Sequence, residues 1–289
     1  MSPLDIQSAC TLNDGNRIPY LGLGVYASST CTKACLTSFD EGYRHIDTAE
    51  LYGNEAEVGV ITFIQLPALL LDNCLPRSSI FVTSKVWDNK HTRQETLKAV
   101  SESLNCMQLE QIDLYLIHNP RSGPTGRHQA WLGLQDALRE KKVKSIGVSN
   151  FTPAHIQNLM KSDGVTVKPA VNQIEFHPWN QQKTIVEYCK KEGIAMQAYS
   201  PLARGQRLGE NSVISEVAKK HGKTPAQVLL RWILQHGVIA IPKSEDPGRI
   251  RENAAIYDFQ LDDEDLSEIA KLDAGQDGNV GDWNPWEHE

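Results

Sequence analysis

The sequence lacks the features that would place it in a membrane or in an oxidising compartment. Its most apolar stretch, VITFIQLPALLL at 60–71, contains Gln65 and Pro67 and is too short to span a bilayer. The amino terminus, MSPLDIQSAC, has no apolar signal region, and the 6 cysteines are scattered without a CxxC pair. Isolated thiols without a signal region are typical of reduced proteins, in which they pack as small apolar groups. We therefore expect a cytoplasmic protein with no membrane partner.

Long runs of basic charge and clustered metal ligands are absent as well. The chain has 29 basic and 36 acidic residues, for a net charge of −7, and no five like charges stand in a row. This acidic excess argues against a nucleic-acid partner. The 9 histidines show neither HxH nor HExxH spacing, so we expect no metal site. We therefore expect the partner to be a small molecule and the protein to be a monomer.

What the sequence does contain is a regular alternation of short β-branched runs and longer amphipathic ones. Asn13-Asp14-Gly15, near the start, predicts a hairpin turn. The candidate strands are Ile18–Val25, His45–Thr48, Ile80–Val86, Ile112–His118, Val143–Ser149, Ala170–Phe176, Ala195–Ser200 and Val238–Pro242. The candidate helices are Thr32–Glu41, Glu55–Leu70, Thr92–Cys106, His128–Lys141, Pro153–Lys161, Gln181–Glu192, Ser212–Gln235 with a break near Gly222, and Asp262–Leu272. This series predicts an α/β fold, a (β/α)8 TIM barrel with an N-terminal β-hairpin, as a single domain over 1–289.

The stretch HIDTAELYGNE at 45–55 can be interpreted in two ways. In the first, it is a strand with a solvated turn, in which Asp47 caps the next element and Tyr52 covers a core edge. In the second, both residues stand at the open end of a strand to perform chemistry. The next two strands end in Lys85 and His118, and barrel active sites lie at the carboxyl ends of the strands. The joint pattern favours the second interpretation.

These four residue types suit the protonation of a carbonyl oxygen. A free tyrosine has a pKa of about 10, which is too high for an efficient acid at neutral pH. A nearby ammonium group lowers that pKa, and a carboxylate keeps the ammonium charged and in place. A histidine can hydrogen-bond the carbonyl oxygen and stabilise its developing charge. The pattern therefore predicts carbonyl reduction, with the hydride coming from a cofactor.

A series of short motifs supports this prediction by resemblance. The motifs are GYRHIDTAELYGNE (42–55), TSKVW (83–87), LIHNP (116–120), IGVSNF (146–151), NQIEFHP (172–178), YSPL (199–202) and IPKSEDPGRIREN (241–253). In order and spacing they resemble the aldo-keto reductases, most of all the fungal and microbial NADP-dependent aldehyde reductases. The resemblance covers nearly the whole chain.

The resemblance implies a catalytic tetrad of Asp47, Tyr52, Lys85 and His118, with Tyr52 as the general acid. It also implies an NADPH-dependent oxidoreductase that reduces aldehydes and ketones, an alcohol dehydrogenase (NADP+)-type enzyme. The substrate would contact Tyr26 and Trp87 as well as His118. The cofactor, NADPH or NADP+, would bind extended and without a Rossmann domain. In agreement, Gly22-Leu23-Gly24 is followed by no third glycine at the fingerprint spacing.

The cofactor contacts carry over by the same resemblance, residue by residue. Ser149, Asn150 and Gln173 match the contacts to the nicotinamide carboxamide. Tyr199 matches the ring that stacks on one nicotinamide face. Gly24 and Val25 are implied cofactor contacts as well. Ser200 and Leu202 match contacts to the pyrophosphate. The adenosine 2′-phosphate would contact Lys243, Ser244 and Arg249, and the adenine would contact Glu252 and Asn253. Without the family, KSEDPGR at 243–249 is equally a polar loop.

Three questions stay open at this point: whether the protein turns over a substrate, what the segment 60–79 is, and where the tail lies. Some relatives keep the barrel but serve as cofactor-binding regulatory subunits without significant turnover. The apolar segment 60–79 departs from the family pattern; it could be a variant helix, an oligomer surface, a membrane contact or an imperfect gene model. In the tail GDWNPWEHE, Trp283 and Trp286 could cover the pocket or could pin the tail to the outside of the barrel.

Overall fold

The computed structural model describes residues 4–63, 75–209, 212–281, 284 and 286 of the chain. A two-stranded antiparallel hairpin comes first, formed by β1 (Ala9–Thr11) and β2 (Arg17–Pro19). Its turn contains Gly15 at a φ of 87°, a conformation that glycine adopts without strain. The Nδ2 group of Asn13 donates to the carbonyl of Pro169 at 2.9 Å, and that of Asn16 donates to the carbonyl of Lys144 at 3.1 Å. The predicted hairpin is therefore confirmed.

Eight parallel strands follow and close into a barrel. They are β3 (Leu23–Gly24), β4 (His45–Asp47), β5 (Phe81–Val86), β6 (Ile112–Ile117), β7 (Val143–Ser149), β8 (Val171–Glu175), β9 (Ala195–Tyr199) and β10 (Ile239–Ala240). The last strand returns to the first, because Leu21 pairs with Ala240 and Gly24 with Lys243. A Cβ atom on Gly24 would lie 2.9 Å from the carbonyl oxygen of Ile241, so the closing seam requires a glycine. The predicted (β/α)8 TIM barrel is confirmed.

Helices form the outer layer. They are α1 (Cys31–Asp40), α2 (Glu55–Phe63), α3 (Arg93–Met107), α4 (Gly123–Arg139), α5 (Pro153–Met160), α6 (Lys183–Glu192), α7 (Ser212–His221), α8 (Pro225–Gln235), α9 (Pro247–Ala254) and α10 (Asp263–Ala270). Thr152 and Thr224 cap α5 and α8 by accepting hydrogen bonds from the backbone N–H groups of His155 and Gln227. Each cap leaves a proline at the first helical position, where its missing N–H costs no hydrogen bond. None of the described helices is both long enough and apolar enough to cross a bilayer.

The observed elements differ from the predicted ones in four places. Helix α4 begins at Gly123 and not at the predicted His128. The predicted strand Ile18–Val25 is divided between β2 and β3, because the chain leaves the hairpin before it enters the barrel. Helix α9 was not predicted, although Asp246 and Pro247 form a standard helix start. The predicted helix Glu55–Leu70 is observed as far as Phe63. Its remainder, with Pro67, lies outside the described residues.

The barrel interior is divided into an apolar lower part and a polar upper part. The lower part is a cluster in which Leu12 and Ile18 of the hairpin pack on side chains from the barrel strands, such as Leu114, Val171 and Ile239. The hairpin thus closes the amino-terminal end of the barrel. The larger apolar cluster lies between the strands and the outer helices. Buried polar side chains at the carboxyl ends of the strands include Asp47, Lys85 and Ser149.

Asp113 ties three neighbouring strands together near the amino-terminal end. Its carboxylate accepts from the backbone N–H of Val82 at 2.9 Å, from the Arg77 guanidinium at 2.7 Å and from the Lys144 ammonium at 2.7 Å. The carboxylate side chain is 6% exposed. Removing it would leave a buried N–H group and two cations without this partner.

We expect Asp113→Ala to lower the free energy of unfolding by about 2 kcal/mol without changing activity, because Asp113 lies at the end of the barrel opposite the strand ends that carry the candidate site. Urea denaturation would measure the loss. Asp258→Ala is the matched control, since Asp258 pairs with Lys223 at 2.6 Å but is 67% exposed; we expect it to cost less than about 0.5 kcal/mol. Equal losses in the two variants would contradict a special role for Asp113.

Candidate active site

A cavity of about 760 Å³ opens at the carboxyl ends of the barrel strands. Most residues that the sequence predicted for the site line it: Gly24, Tyr26, Asp47, Tyr52, His118, Ser149, Asn150, Gln173, Tyr199, Ser200, Leu202, Lys243, Ser244, Arg249, Glu252 and Asn253. These residues come from widely separated parts of the chain. The barrel brings them together because parallel strands all end on the same rim.

A buried ion pair forms the floor of the cavity. Lys85 is fully buried, and its Nζ atom lies 2.5 Å from Asp47 Oδ1. The same ammonium group donates to the backbone carbonyl of Thr48 at 2.7 Å and to the hydroxyl of Tyr52 at 3.4 Å. It also lies 4.9 Å from the centre of the Tyr52 ring. Asp47 and Lys85 can meet because β4 and β5 are neighbouring strands, paired at Asp47 and Thr83.

Tyr52 is held over this pair by a short 3-10 turn, Glu50–Tyr52, directly after β4. Gly53 ends the turn with a φ of 68°, which glycine tolerates without strain. The Asn54 side chain then fixes the turn by two hydrogen bonds. Its Oδ1 atom accepts from the Thr48 hydroxyl at 2.6 Å, and its Nδ2 group donates to the carbonyl of Val25 at 2.8 Å. The local sequence therefore folds the phenol back toward Lys85.

Burial is the largest influence on the pKa of all three groups. It raises the pKa of Tyr52 well above its usual value, and the Asp47 carboxylate acts in the same direction. It also raises the pKa of Asp47 and lowers that of Lys85, while the attraction within the pair opposes both shifts. The net shift of the Tyr52 pKa is therefore upward, opposite to the lowering that the sequence led us to expect, because removal of the phenol from water is its largest cause. Tyr52 therefore keeps its proton at neutral pH.

His118 follows β6 and completes the polar group at the cavity floor. Its ring lies 5.7 Å from the Tyr52 ring and 5.0 Å from the Trp87 ring, both in edge contacts. Burial lowers its pKa well below the usual value, and the Lys85 charge acts in the same direction. The imidazole is therefore neutral near pH 7, and a neutral imidazole has one N–H donor and one acceptor nitrogen. Tyr26 stands beside Tyr52, with the ring centres 5.0 Å apart, and is 56% exposed at the rim.

A second polar group lies at the carboxyl-terminal parts of β7, β8 and β9. The Ser149 hydroxyl donates to the backbone carbonyl of Gln173 at 2.8 Å. The Asn150 amide nitrogen donates to Ser149 Oγ at 3.1 Å, and the Tyr199 hydroxyl donates to Asn150 Oδ1 at 2.9 Å. Asn150 and Ser200 both have a positive φ, of 62° and 46°. Such backbone strain in residues other than glycine is found preferentially at functional sites.

The far end of the cavity is basic and lies at the start of α9. Lys243, Ser244 and Arg249 line it. The Asp246 side chain caps the helix by accepting from the backbone N–H of Arg249 at 2.8 Å. Glu245 pairs with Lys243 at 3.4 Å. Two cations and a hydroxyl at a helix start suit a phosphate group.

Glu245 joins this end to the loop after β3. Its carboxylate accepts from the hydroxyl of Ser28 at 2.8 Å and from the backbone N–H of Thr30 at 3.0 Å. These hydrogen bonds lower the pKa of Glu245 to about 2, with the one from Ser28 as the largest cause. The two loops on either side of the cavity mouth are thus connected.

Some predicted contacts are not at the cavity surface. Lys85 lies behind Asp47 and Tyr52. Val25 is buried in the apolar core between strands and helices, and Trp87 contacts His118 without lining the cavity. Their predicted functional roles, like those of the lining residues, stay predictions.

The carboxyl-terminal tail packs beside the loop that follows β8. The backbone N–H of Val280 donates to the buried Glu175 carboxylate at 2.7 Å. The indole N–H of Trp286 donates to the side-chain oxygen of Gln182 at 3.3 Å. Of the two interpretations for the tail, Trp286 therefore fits the one in which it pins the tail to the barrel. Trp283 lies outside the described residues.

Sequence reasoning missed two polar residues near the cavity. Arg204 lines it and has a φ of 53°; the signal was an arginine two residues after Leu202 in a glycine-containing loop. Gln197, in the interior of β9, lies below the cavity floor and hydrogen-bonds Gln173. Its only sequence signal was a polar residue within an otherwise apolar strand.

Comparisons with known proteins identify the family of this chain. A family model described as the aldo/keto reductase family matches residues 22–274. A 9,11-endoperoxide prostaglandin H2 reductase of Trypanosoma cruzi is 42% identical over 276 residues, which cover 94% of this chain and 93% of that protein. A glyoxal reductase of Bacillus subtilis is 41% identical over 282 residues, covering 96% of this chain and 97% of that protein.

The solved structures show the same relationship. The crystal structure of an aldo-keto reductase enzyme from a Medee basin deep-sea metagenome library superposes with a TM-score of 0.86 at 37% identity, covering 93% of this chain and 96% of that one. The agreement extends over both sequence and fold. With the family model matching most of its length, this chain belongs to the aldo/keto reductase family, a family of oxidoreductases.

Proposed function

We propose that the protein, as one barrel domain over 1–289, is an NADPH-dependent reductase of aldehydes and ketones, an alcohol dehydrogenase (NADP+)-type enzyme. The observation that carries this proposal is the hydrogen-bonded group of Asp47, Lys85 and Tyr52 at the cavity floor, with neutral His118 beside it. A protonated phenol next to a buried ammonium is arranged to give up its proton and remain as a stabilised phenolate.

The residues along the cavity fit a nicotinamide cofactor with a 2′-phosphate. Lys243, Ser244 and Arg249 at the start of α9 would hold the phosphate, and Tyr199 offers an aromatic face near the cavity floor. Ser149, Asn150 and Gln173 offer polar atoms beside it. When bound, the cofactor supplies the hydride that the carbonyl carbon accepts.

The chain's own residues handle the proton and the developing charge. Tyr52 gives its hydroxyl proton to the carbonyl oxygen, and the Lys85 ammonium stabilises the phenolate that is left. Asp47 keeps that ammonium charged and in place. His118, kept neutral by burial, can donate one N–H to the same carbonyl oxygen and orient it.

The substrate would enter between exposed apolar side chains. Tyr26 and Leu51 line the cavity and are 56% and 48% exposed. A largely apolar entrance above a few convergent polar groups suits a small carbonyl compound. Glyoxal is the first substrate to test, because a relative that covers nearly the whole chain is a glyoxal reductase.

We expect Tyr52→Phe to lower kcat by at least about 100-fold because it removes the proton donor, while NADPH binding is retained. Spectrophotometric NADPH oxidation with glyoxal and a panel of aldehydes would measure kcat, and fluorescence titration would measure binding. Tyr26→Phe is the matched control, since Tyr26 is a second tyrosine 5.0 Å away in the same cavity. It should keep kcat within about twofold of wild type.

A near-normal kcat for Tyr52→Phe would contradict its role as the acid. Tight NADPH binding by the wild-type protein without turnover of any carbonyl would instead favour the regulatory-subunit alternative.

We expect Arg249→Ala to weaken NADPH binding by about tenfold or more, the equivalent of one charge-assisted hydrogen bond, and to leave NADH binding nearly unchanged. The control is Arg251→Ala on the same helix, because the Arg251 side chain is 71% exposed, pairs with Glu41 at 2.9 Å and does not line the cavity. Isothermal titration of both nucleotides with each variant would measure the effect. Equal losses for NADPH and NADH would rule out the phosphate contact.

A further inference from the structure

A hydrogen-bonded row of buried polar side chains extends from the ion pair into the barrel interior. The Gln173 Nε2 group donates to Asp47 Oδ2 at 2.7 Å and to Gln197 Oε1 at 2.9 Å. Gln197 Nε2 lies 3.4 Å from His45 Nε2, which is also 3.0 Å from the Thr83 hydroxyl. All five side chains are at most 2% exposed. Hydrogen bonds between buried side chains of this kind fix the orientation of the groups that make them.

The two ends of this hydrogen-bonded row determine the orientation of the Gln173 and Gln197 amides. At the upper end, an ionised Asp47 can only accept, so Gln173 must present its nitrogen to it. At the lower end, burial lowers the pKa of His45 to about 3, so the imidazole is neutral and its Nε2 atom can accept. Gln197 therefore donates toward His45 and presents its oxygen to Gln173. Both N–H bonds of the Gln173 amide are then used.

This leaves the Gln173 oxygen facing the cavity. Among the described residues no group donates to Gln173 Oε1, whereas its nitrogen has two acceptors and its side chain lines the cavity. An acceptor in this place matches a ligand that carries an amide N–H₂ group. Without Gln197, the Gln173 amide would keep Asp47 as its acceptor, but its second N–H would have no acceptor and the plane of the amide would no longer be fixed.

We propose that Gln197 is a positioning residue: it holds the Gln173 amide so that Gln173 Oε1 accepts a hydrogen bond from the carboxamide N–H₂ of a bound nicotinamide. This inference rests on the proposed cofactor. Gln197 itself lies one residue layer below the cavity and acts only through Gln173.

The test compares the binding of NADP+ with that of its 3-acetylpyridine analogue, in which a methyl group replaces the carboxamide N–H₂. Fluorescence titration gives both dissociation constants for the wild type, Gln197→Met and Gln197→Glu. Methionine has a similar length but no acceptor oxygen, whereas glutamate keeps an acceptor in either protonation state. Should Gln197→Met not fold, Gln197→Val removes the acceptor with a smaller side chain.

We expect the wild type to bind NADP+ about tenfold more tightly than the analogue, the value of one neutral hydrogen bond. Gln197→Met should lose that preference through weaker NADP+ binding, and Gln197→Glu should keep it. A purely structural role would weaken both ligands equally and leave the ratio unchanged, which would overturn the inference. If the wild type binds both ligands equally, the inference about Gln197 is overturned and the proposed function is not. If it binds neither ligand, both the inference and the proposed function are overturned.

Discussion

The buried ion pair between Lys85 and Asp47 is the interaction on which the rest of the candidate site depends. Neither side chain is more than 3% exposed, and a charge buried in this way is stable only with its partner in place. Removing one partner of such a pair typically costs about 3–5 kcal/mol. The pair requires β4 and β5 to be neighbours in the observed register. Tyr52 and His118 then take their positions around it, and burial keeps the phenol protonated and the imidazole neutral.

The same pair also depends on strands from the opposite side of the barrel. Asp47 has a second oxygen to satisfy, and Gln173 reaches it from β8. Such a contact across the interior is possible only because the sheet closes, and closure brings the backbone of Gly24 against that of Ile241 without room for a side chain. The amide of Gln173 in turn needs Gln197 to use its remaining N–H. The polar upper interior is thus one connected structure.

Stability and chemistry occupy opposite ends of this barrel. The lower interior is mostly apolar and is covered by Leu12 and Ile18 of the hairpin, and Asp113 links three strands near the same end. The upper interior carries the polar groups that burial makes expensive. Positive φ angles at Asn150 and Ser200 add backbone strain at the same end.

The sequence by itself determined the order of the elements and the four rim residues Asp47, Tyr52, Lys85 and His118. Hydrophobic periodicity and the ends of strands are local patterns in the sequence. In a barrel of parallel strands, the residues at the carboxyl ends of the strands all lie on the same rim. Only the tertiary structure decided what depends on burial and on contacts between distant strands. Burial reversed the expected direction of the Tyr52 pKa shift, since the sequence does not show how far a phenol is removed from water. The partnership of Gln173 with Gln197 and the placement of Arg204 and Trp286 likewise arise between segments far apart in sequence, where no local pattern records them.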